Sequence, residues 1–239
     1  KIHDVGQKDA ADIVFVEVGG TVGEYQNVLF FEAIRRFKQS FPQSVYLIHL
    51  VYLITPPFLG EMKSKPAQAS IYELYKLGLH PDFVVCRSHF PVDEKRRQTI
   101  AFNTGIPYEN IIGAPDVDTI YKVPVMFQDQ AFAEKLLAQM SMKPKQKNLE
   151  QWTKMVNQAG NHKKKVKVAI AGKYFTSGNF SLEDAYVCVI EALKHAAWSL
   201  NADCEIHWFD VERFEKPNEL VPLKKELSKF DGIIVPQGW

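Results

Sequence analysis

Apolar residues fall into two kinds of run along this chain, and their alternation lays out the fold. Asp12–Val18 (DIVFVEV), Val45–Leu53 and Asp82–Cys86 (DFVVC) are short, mostly continuous apolar stretches. Such runs suit strands covered on both faces, as in parallel sheets. Between them Val28, Phe31, Ala33, Ile34 and Phe37 recur at roughly helical spacing, and Ile71, Leu74 and Leu77 form one stripe of a helix over Ser70–Leu79. Strand alternating with helix predicts an α/β doubly wound, mostly parallel sheet.

The pattern breaks near Met140–Lys165. Ser141–Asn148 carries three lysines and a proline, a short helix is predicted over Leu149–Gln158, and Gly160–Lys165 ends in a lysine run that reads as a solvated linker. A second α/β unit follows. Strands are predicted over Val166–Ala171, Cys204–Phe209 and Gly232–Val235, and helices over Leu182–Leu200 and Glu219–Lys229. The expected division is therefore 1–142, a linker over 143–165, and 166–239. A domain ending at Trp239 is expected to be too small to cover both faces of its sheet.

Composition narrows the function by exclusion. The net charge of +1 gives no broad nucleic-acid footprint. No apolar run approaches the roughly 18 residues of a membrane span. The three cysteines, Cys86, Cys188 and Cys204, form no CxxC pair and no zinc pattern. Each sits in an apolar run, so buried free thiols in a reducing cytoplasm are expected. The first residues, Lys-Ile-His-Asp, lack an initiator Met, and the expectation is a piece of a longer gene product.

Several segments carry candidate chemistry. Glu17 stands near the carboxyl end of an apolar run, just before the glycine turn Gly19-Gly20-Thr21-Val22-Gly23. Ligands of open α/β sheets bind at that end, glycines admit an anion to the backbone, and a carboxylate there holds Mg²⁺ beside phosphates. The plainer alternative is a strand-end acid paired with a lysine. The turn is not a P-loop, because no Lys-Ser/Thr follows it, and Gly172-Lys173-Tyr174 imitates only half of one. Lys63-Ser64-Lys65-Pro66-Ala67-Gln68 opens a helix. Two ammonium groups near a helix N-terminus favour an anion such as a triphosphate, with Pro66 expected to keep Lys65 extended. The alternative is a solvated basic loop. Asp116, in the turn Pro115-Asp116-Val117-Asp118, either accepts hydrogen bonds from a base amine or caps the following segment.

Taken in order, these segments resemble the CTP synthase family. The resemblance rests on Val16–Gly23, Gly60–Gln68, Gly78–Asp82 with Cys86-Arg87-Ser88, and Ala114–Tyr121. After the break, Gly172-Lys173-Tyr174, Asp184-Ala185-Tyr186, Ile190–Ala196 and Asp231–Pro236 are similar to the opening of its class I glutaminase domain. The resemblance implies a P-loop-type amidoligase followed by the start of a class I glutaminase α/β domain. The implied reaction is phosphorylation of UTP by ATP and Mg²⁺, with phosphate then displaced by ammonia from L-glutamine. It implies Glu17 as a Mg²⁺ ligand, and Glu24, Tyr25 and Gln26 at the pyrimidine nucleotide. Lys63, Ser64, Lys65, Pro66, Ala67 and Gln68 would bind UTP or CTP. The Thr99 position would join them, and Pro115, Asp116 and Val117 would contact the ATP adenine. Gly238 would bind glutamine, and a cytoplasmic homotetramer is implied.

This chain also departs from the pattern. Glu24-Tyr25-Gln26 replaces the usual Asp-Ile-Glu, Thr99 stands where a lysine is expected, Gln237-Gly238-Trp239 replaces a Gly-Gly-Phe loop, and Thr176–Phe180 reads as an insertion. Lys95, Arg96 and Arg97 are near enough to supply the missing cation. The family's phosphate loop is expected before Lys1, and its Cys nucleophile with His-Glu partners after Trp239. None of the three cysteines suits that role, with Cys188 read as mid-helix and Cys204 as opening a strand. The 239 residues alone are therefore expected to lack both activities. Two other readings stay open at this point: a noncatalytic nucleotide-binding or assembly module, and another P-loop amide ligase with a glutaminase domain.

Overall fold

The computed structural model describes residues 1–144, 148–159, 162, 164–172, 176–177, 180–181, 186–211 and 220–237. Contacts divide the chain into two units, Lys1–Lys147 and Asn148–Trp239.

The first unit is built on three parallel strands in the order β1 (Ile48–Leu53), β2 (Phe83–Ser88) and β3 (Ile111–Pro115). Helix α1 (Ile2–Lys8) precedes them, as does α2 (Val28–Ser40). Helix α3 (Lys65–Lys76) connects β1 to β2, and α4 (Glu94–Thr104) connects β2 to β3. Two short helices follow, α5 (Val123–Asp129) and α6 (Phe132–Gln139). The period of two along each strand sorts its side chains between the layers. Val51, Leu53, Val84, Cys86 and Ile111 pack with Ala67, Ile71 and Ile100 on the α3–α4 side. Phe83, Val85, Ile112 and Ala114 pack with Met126, Phe127, Phe132 and Leu136 on the α5–α6 side. The sheet is thus covered on both faces, as the apolar runs of β2 and β3 require. At the edge of the sheet Leu50 and Tyr52 of β1 remain exposed.

Asp12–Val18 corrects the expectation of a strand. No β-pairing involves it, and Ile13, Val14, Phe15 and Val16 are exposed, Phe15 at 82%. A parallel strand exists only through hydrogen bonds to a neighbour, and β-propensity alone does not hold it. The end of the segment is anchored in the core: Val18, and Val22 just beyond it, pack against Phe31, Leu74 and Leu79.

His49 of β1 is turned into the layer beneath α3, its Nε2 lying 2.9 Å from Ser70 Oγ. Burial pushes the imidazole down to about 4. The folded state therefore holds the neutral ring, whereas the unfolded chain protonates near pH 6.5. The stabilisation is complete above about pH 6.5 and is lost as the pH falls toward 4, by up to about 3 kcal/mol. Urea midpoints from pH 7 to pH 4 should fall more steeply for the wild type than for His49→Gln. Parallel curves would contradict the assignment.

The second unit begins with α7 (Glu150–Gln158), which lies inside the span expected as linker. Its sheet has the parallel order β7 (Ala202–Asp210), β4 (Lys164–Gly172), β8 (Gly232–Ile234). Strand β4 starts at Lys164, so Lys164 and Lys165 extend the ladder rather than ending a linker. A two-stranded antiparallel pair, β5 (Thr176–Ser177) and β6 (Phe180–Ser181), begins with the expected insertion and runs one residue past it. Helices α8 (Val187–Ser199) and α9 (Leu220–Leu227) complete the unit. Ala169 and Ala171 of β4 pack toward Leu223, Leu227 and Phe230, while Ile170 packs with Tyr186, Val189, Ile190 and Leu193. The central strand is therefore covered on both faces, whereas β8 buries no residue and β7 buries only Ala202 and Phe209. Asp231 receives the Lys167 amide at 2.8 Å and donates its own back to Lys167 O at 2.8 Å, setting the register of β8.

The cysteines also differ from expectation. Cys86 is buried, Cys204 is half-buried and Cys188 is exposed. Cys188 is the second residue of α8 rather than a mid-helix residue. Burial pushes the Cys86 thiol up to about 12 and raises that of Cys204, so neither is an activated nucleophile.

Candidate nucleotide site

The carboxyl ends of β1 and β2 open onto a cavity of about 290 Å³, lined by Thr55, Gly60, Glu61, Met62, Phe90, Pro91, Asp93 and Arg96. This is where open α/β sheets bind ligands. Its walls are the loop after β1, the loop after β2 and the first turn of α4. The first loop is closed at its base by an isolated antiparallel bridge between Ile54 and Lys63, with Lys63 N donating to Ile54 O at 2.8 Å. Asp93 caps α4, its carboxylate accepting from Arg96 N at 2.8 Å.

Charge at the rim converges on Glu61. Its Oε2 is 2.7 Å from Lys63 Nζ and its Oε1 is 2.8 Å from Arg96 Nη2. Arg96 also donates to Asp93 Oδ2 at 2.7 Å and to Met62 O at 3.3 Å. The Lys63 hydrogen bond holds the Glu61 carboxyl below the usual range, reinforced by the charges of Lys63 and Arg96. Thr55 Oγ1 is buried at this cavity with no hydrogen-bond partner.

The segment Lys63–Gln68 differs from expectation in one respect. Helix α3 begins at Lys65, with Pro66 in its first turn, so Lys65 is helical rather than extended. Proline at the start of a helix loses no intrahelical bond, which outweighs its usual restraint on the preceding residue. Ser64 is the N-cap, and its Oγ accepts from Gln68 Nε2 at 3.0 Å. Ala67 and Gln68 are buried, while Lys65 and Pro66 are exposed. Thr99 lies on α4 and donates to Lys95 O at 2.7 Å, one turn back. Arg97 points elsewhere, donating to Gln130 Oε1 at 2.7 Å beside Gly113.

The glycine turn is tightly built. Gly20 has φ +85°, and a Cβ there would run into the Glu24 carboxylate. Asn27 is buried and donates to Gly19 O at 2.7 Å. Glu24 accepts from Gln26 Nε2 at 3.3 Å, and Tyr25 is fully open to solvent. Glu17 is exposed, without a hydrogen bond or ion pair among the described residues. No such bond joins Glu17 or Glu24–Gln26 to Lys63–Gln68, and none of these residues lines the cavity, which Lys63 reaches only through its pairing with Glu61. Among the described residues no cluster of three or more His, Cys, Asp or Glu is placed to hold a metal. A single free carboxylate still fits Mg²⁺ of the kind bound by one or two carboxylates, with waters and substrate phosphates completing the shell.

Pro115 ends β3, and Asp116 follows it with both carboxylate oxygens engaged. Arg87 Nη2 lies 2.8 Å from Oδ1, and His89 Nδ1 lies 3.0 Å from Oδ2. The His89 hydrogen bond and then Arg87 hold the Asp116 carboxyl below its usual range. Asp116 thus ties the loops after β2 and β3 together, and a base amine would compete with these two partners. Val117 is half-buried beside it. Gly238, Lys173, Tyr174, Asp184 and Ala185 lie outside the described residues.

A family model, CTP synthase N-terminus, matches residues 1–142. The chain belongs to the CTP synthase family. The whole chain is also similar to curated CTP synthases: 35% identical to that of Microcystis aeruginosa, 36% to that of Synechococcus and 35% to that of Bacillus cereus. Each match covers 100% of this chain, which spans only 42% or 43% of those relatives. Of the cavity residues, Arg96 is one of the three candidates for the missing cation, whereas sequence reasoning misses Glu61 and Thr55 as binding residues. The available signal was local: an acid two residues before Lys63, and an arginine three after a helix-capping Asp.

Proposed function

We propose that this chain is the nucleotide-binding part of a CTP synthase, spanning late synthetase domain into the start of a class I glutaminase domain. The whole protein converts UTP to CTP with ATP, Mg²⁺ and ammonia from L-glutamine. The observation that carries this reading is a cation-rimmed cavity at the carboxyl edge of a parallel sheet, bordered by the Lys63–Gln68 signature. Lys63 meets the triphosphate of UTP, with Ser64 to Gln68 shaping the helix entry beside it. The free carboxylate of Glu17 holds Mg²⁺ together with substrate phosphates, and the metal neutralises charge on the transferring phosphoryl group. Glu24, Tyr25 and Gln26 border the pyrimidine nucleotide. Pro115, Asp116 and Val117 receive the adenine, and Gly238 belongs to the glutamine loop. A cytoplasmic homotetramer completes the reading. No described helix is long and apolar enough to cross a membrane.

The test is CTP formation by the whole protein supplied with UTP, ATP, Mg²⁺ and glutamine. Formation that requires all four is expected. Tight UTP binding without any CTP would instead favour the noncatalytic module.

A further inference from the structure

We propose that Glu61 is a built-in counter-anion of the phosphate site, displaced when a triphosphate arrives, and that Arg96 is the site's second cation. The inference rests on the nucleotide-site reading above and specifies how its charges are arranged.

Two cations of separate sequence origin meet on one carboxylate. Lys63 comes from the base of the β1 loop and Arg96 from the first turn of α4, at 2.7 and 2.8 Å from the two oxygens of Glu61. Of the three basic residues near Thr99, Arg96 alone lines the cavity, and Arg97 is committed to Gln130. The Arg96 side chain is only 17% exposed and is fixed by Asp93 and the Met62 carbonyl. It is held in place whether or not Glu61 stays.

Glu61 is the movable member. Its side chain is 53% exposed, so its carboxylate can be rehydrated at little cost. It sits next to Gly60, which has φ +60°, in a loop whose Phe58 and Leu59 are also open to solvent. With Glu61 in place, the charges of Lys63 and Arg96 are offset by Glu61 and Asp93. With Glu61 swung out, Arg96 faces the cavity and Lys63 stands released beside it, against Asp93 alone. The buried Thr55 hydroxyl without a partner is a further donor for a ligand oxygen. A phosphate chain offers these donors more charge than one carboxylate does.

The test is calorimetric titration of the whole protein with inorganic triphosphate and, separately, with UTP. Glu61→Gln removes the competing charge and should tighten both ligands by about threefold to tenfold. Arg96→Met should weaken both by about tenfold or more, and Arg96→Lys by less. Lys95→Met should change affinity by less than about twofold. Unchanged or weaker binding by Glu61→Gln would overturn the exchange, even if Arg96→Met fails to fold. A loss in Lys95→Met as large as that in Arg96→Met would reassign the second cation. If the wild type binds triphosphate and UTP but Glu61→Gln does not tighten them, the nucleotide-site reading stands and this inference falls. If the wild type binds neither, both fall.

Discussion

Replacing Glu17 by Gln is expected to lower Mg²⁺-ATP-dependent CTP formation by the whole protein at least about 100-fold while leaving the fold intact. The argument joins two observations. Glu17 is exposed and makes no hydrogen bond or ion pair among the described residues, so no contact described there depends on its charge. It stands directly before a turn whose glycine at position 20 cannot carry a side chain without striking Glu24. An acid without a structural partner beside a tight glycine turn suits a metal shared with phosphates. Such a metal contributes several kcal/mol to a phosphoryl-transfer transition state, and each 1.36 kcal/mol is tenfold in rate. Turnover and thermal midpoint measured together separate the two claims. A wild-type rate would remove the metal role, and a large drop in midpoint would make Glu17 a structural residue.

Phe83→Ala carries the largest expected cost to stability, about 3–5 kcal/mol. Phe83 is fully buried at the start of β2 and packs edge-on against Phe132 at 5.3 Å between ring centroids. Its removal leaves a cavity between the sheet and α6, and a loss of this size is a large share of the stability of an ordinary domain. Phe15→Ala, in the exposed segment before the glycine turn, should change stability by less than about 0.5 kcal/mol. Denaturant unfolding of both variants compares them directly. Equal midpoints would mean that the sheet core does not lie where Phe83 places it.

The same pair shows how far the amino-acid pattern reaches. Both phenylalanines sit in Val-rich apolar runs of similar length, yet only the run of Phe83 is a strand. The difference lies in tertiary pairing: β2 has neighbours on both edges, while Asp12–Val18 has none among the described residues. Strands β1, β2, β4, β7 and β8 are legible as short apolar runs, and helices α2 and α3 by apolar residues recurring at helical spacing. Helix α4 was not, since among its eleven residues only Ile100 and Thr104 are buried and no apolar stripe marks it. The site was legible in part for a related reason. Lys63–Gln68 is contiguous and announces itself, but Glu61 and Arg96 are 35 residues apart and meet only because β1 and β2 are neighbours. Asp116 was recognised as a turn acid, yet its engagement by Arg87 and His89 depends on β2 and β3 ending side by side.

The central claim is that the cavity edge at Lys63 receives the triphosphate of UTP, and titration of UTP into the whole wild-type protein and its Lys63→Ala variant tests it most directly. A charge-assisted contact of this kind predicts that affinity falls by about tenfold or more in the variant, with the difference shrinking as salt is raised. Equal affinity in the two proteins at low salt would contradict it.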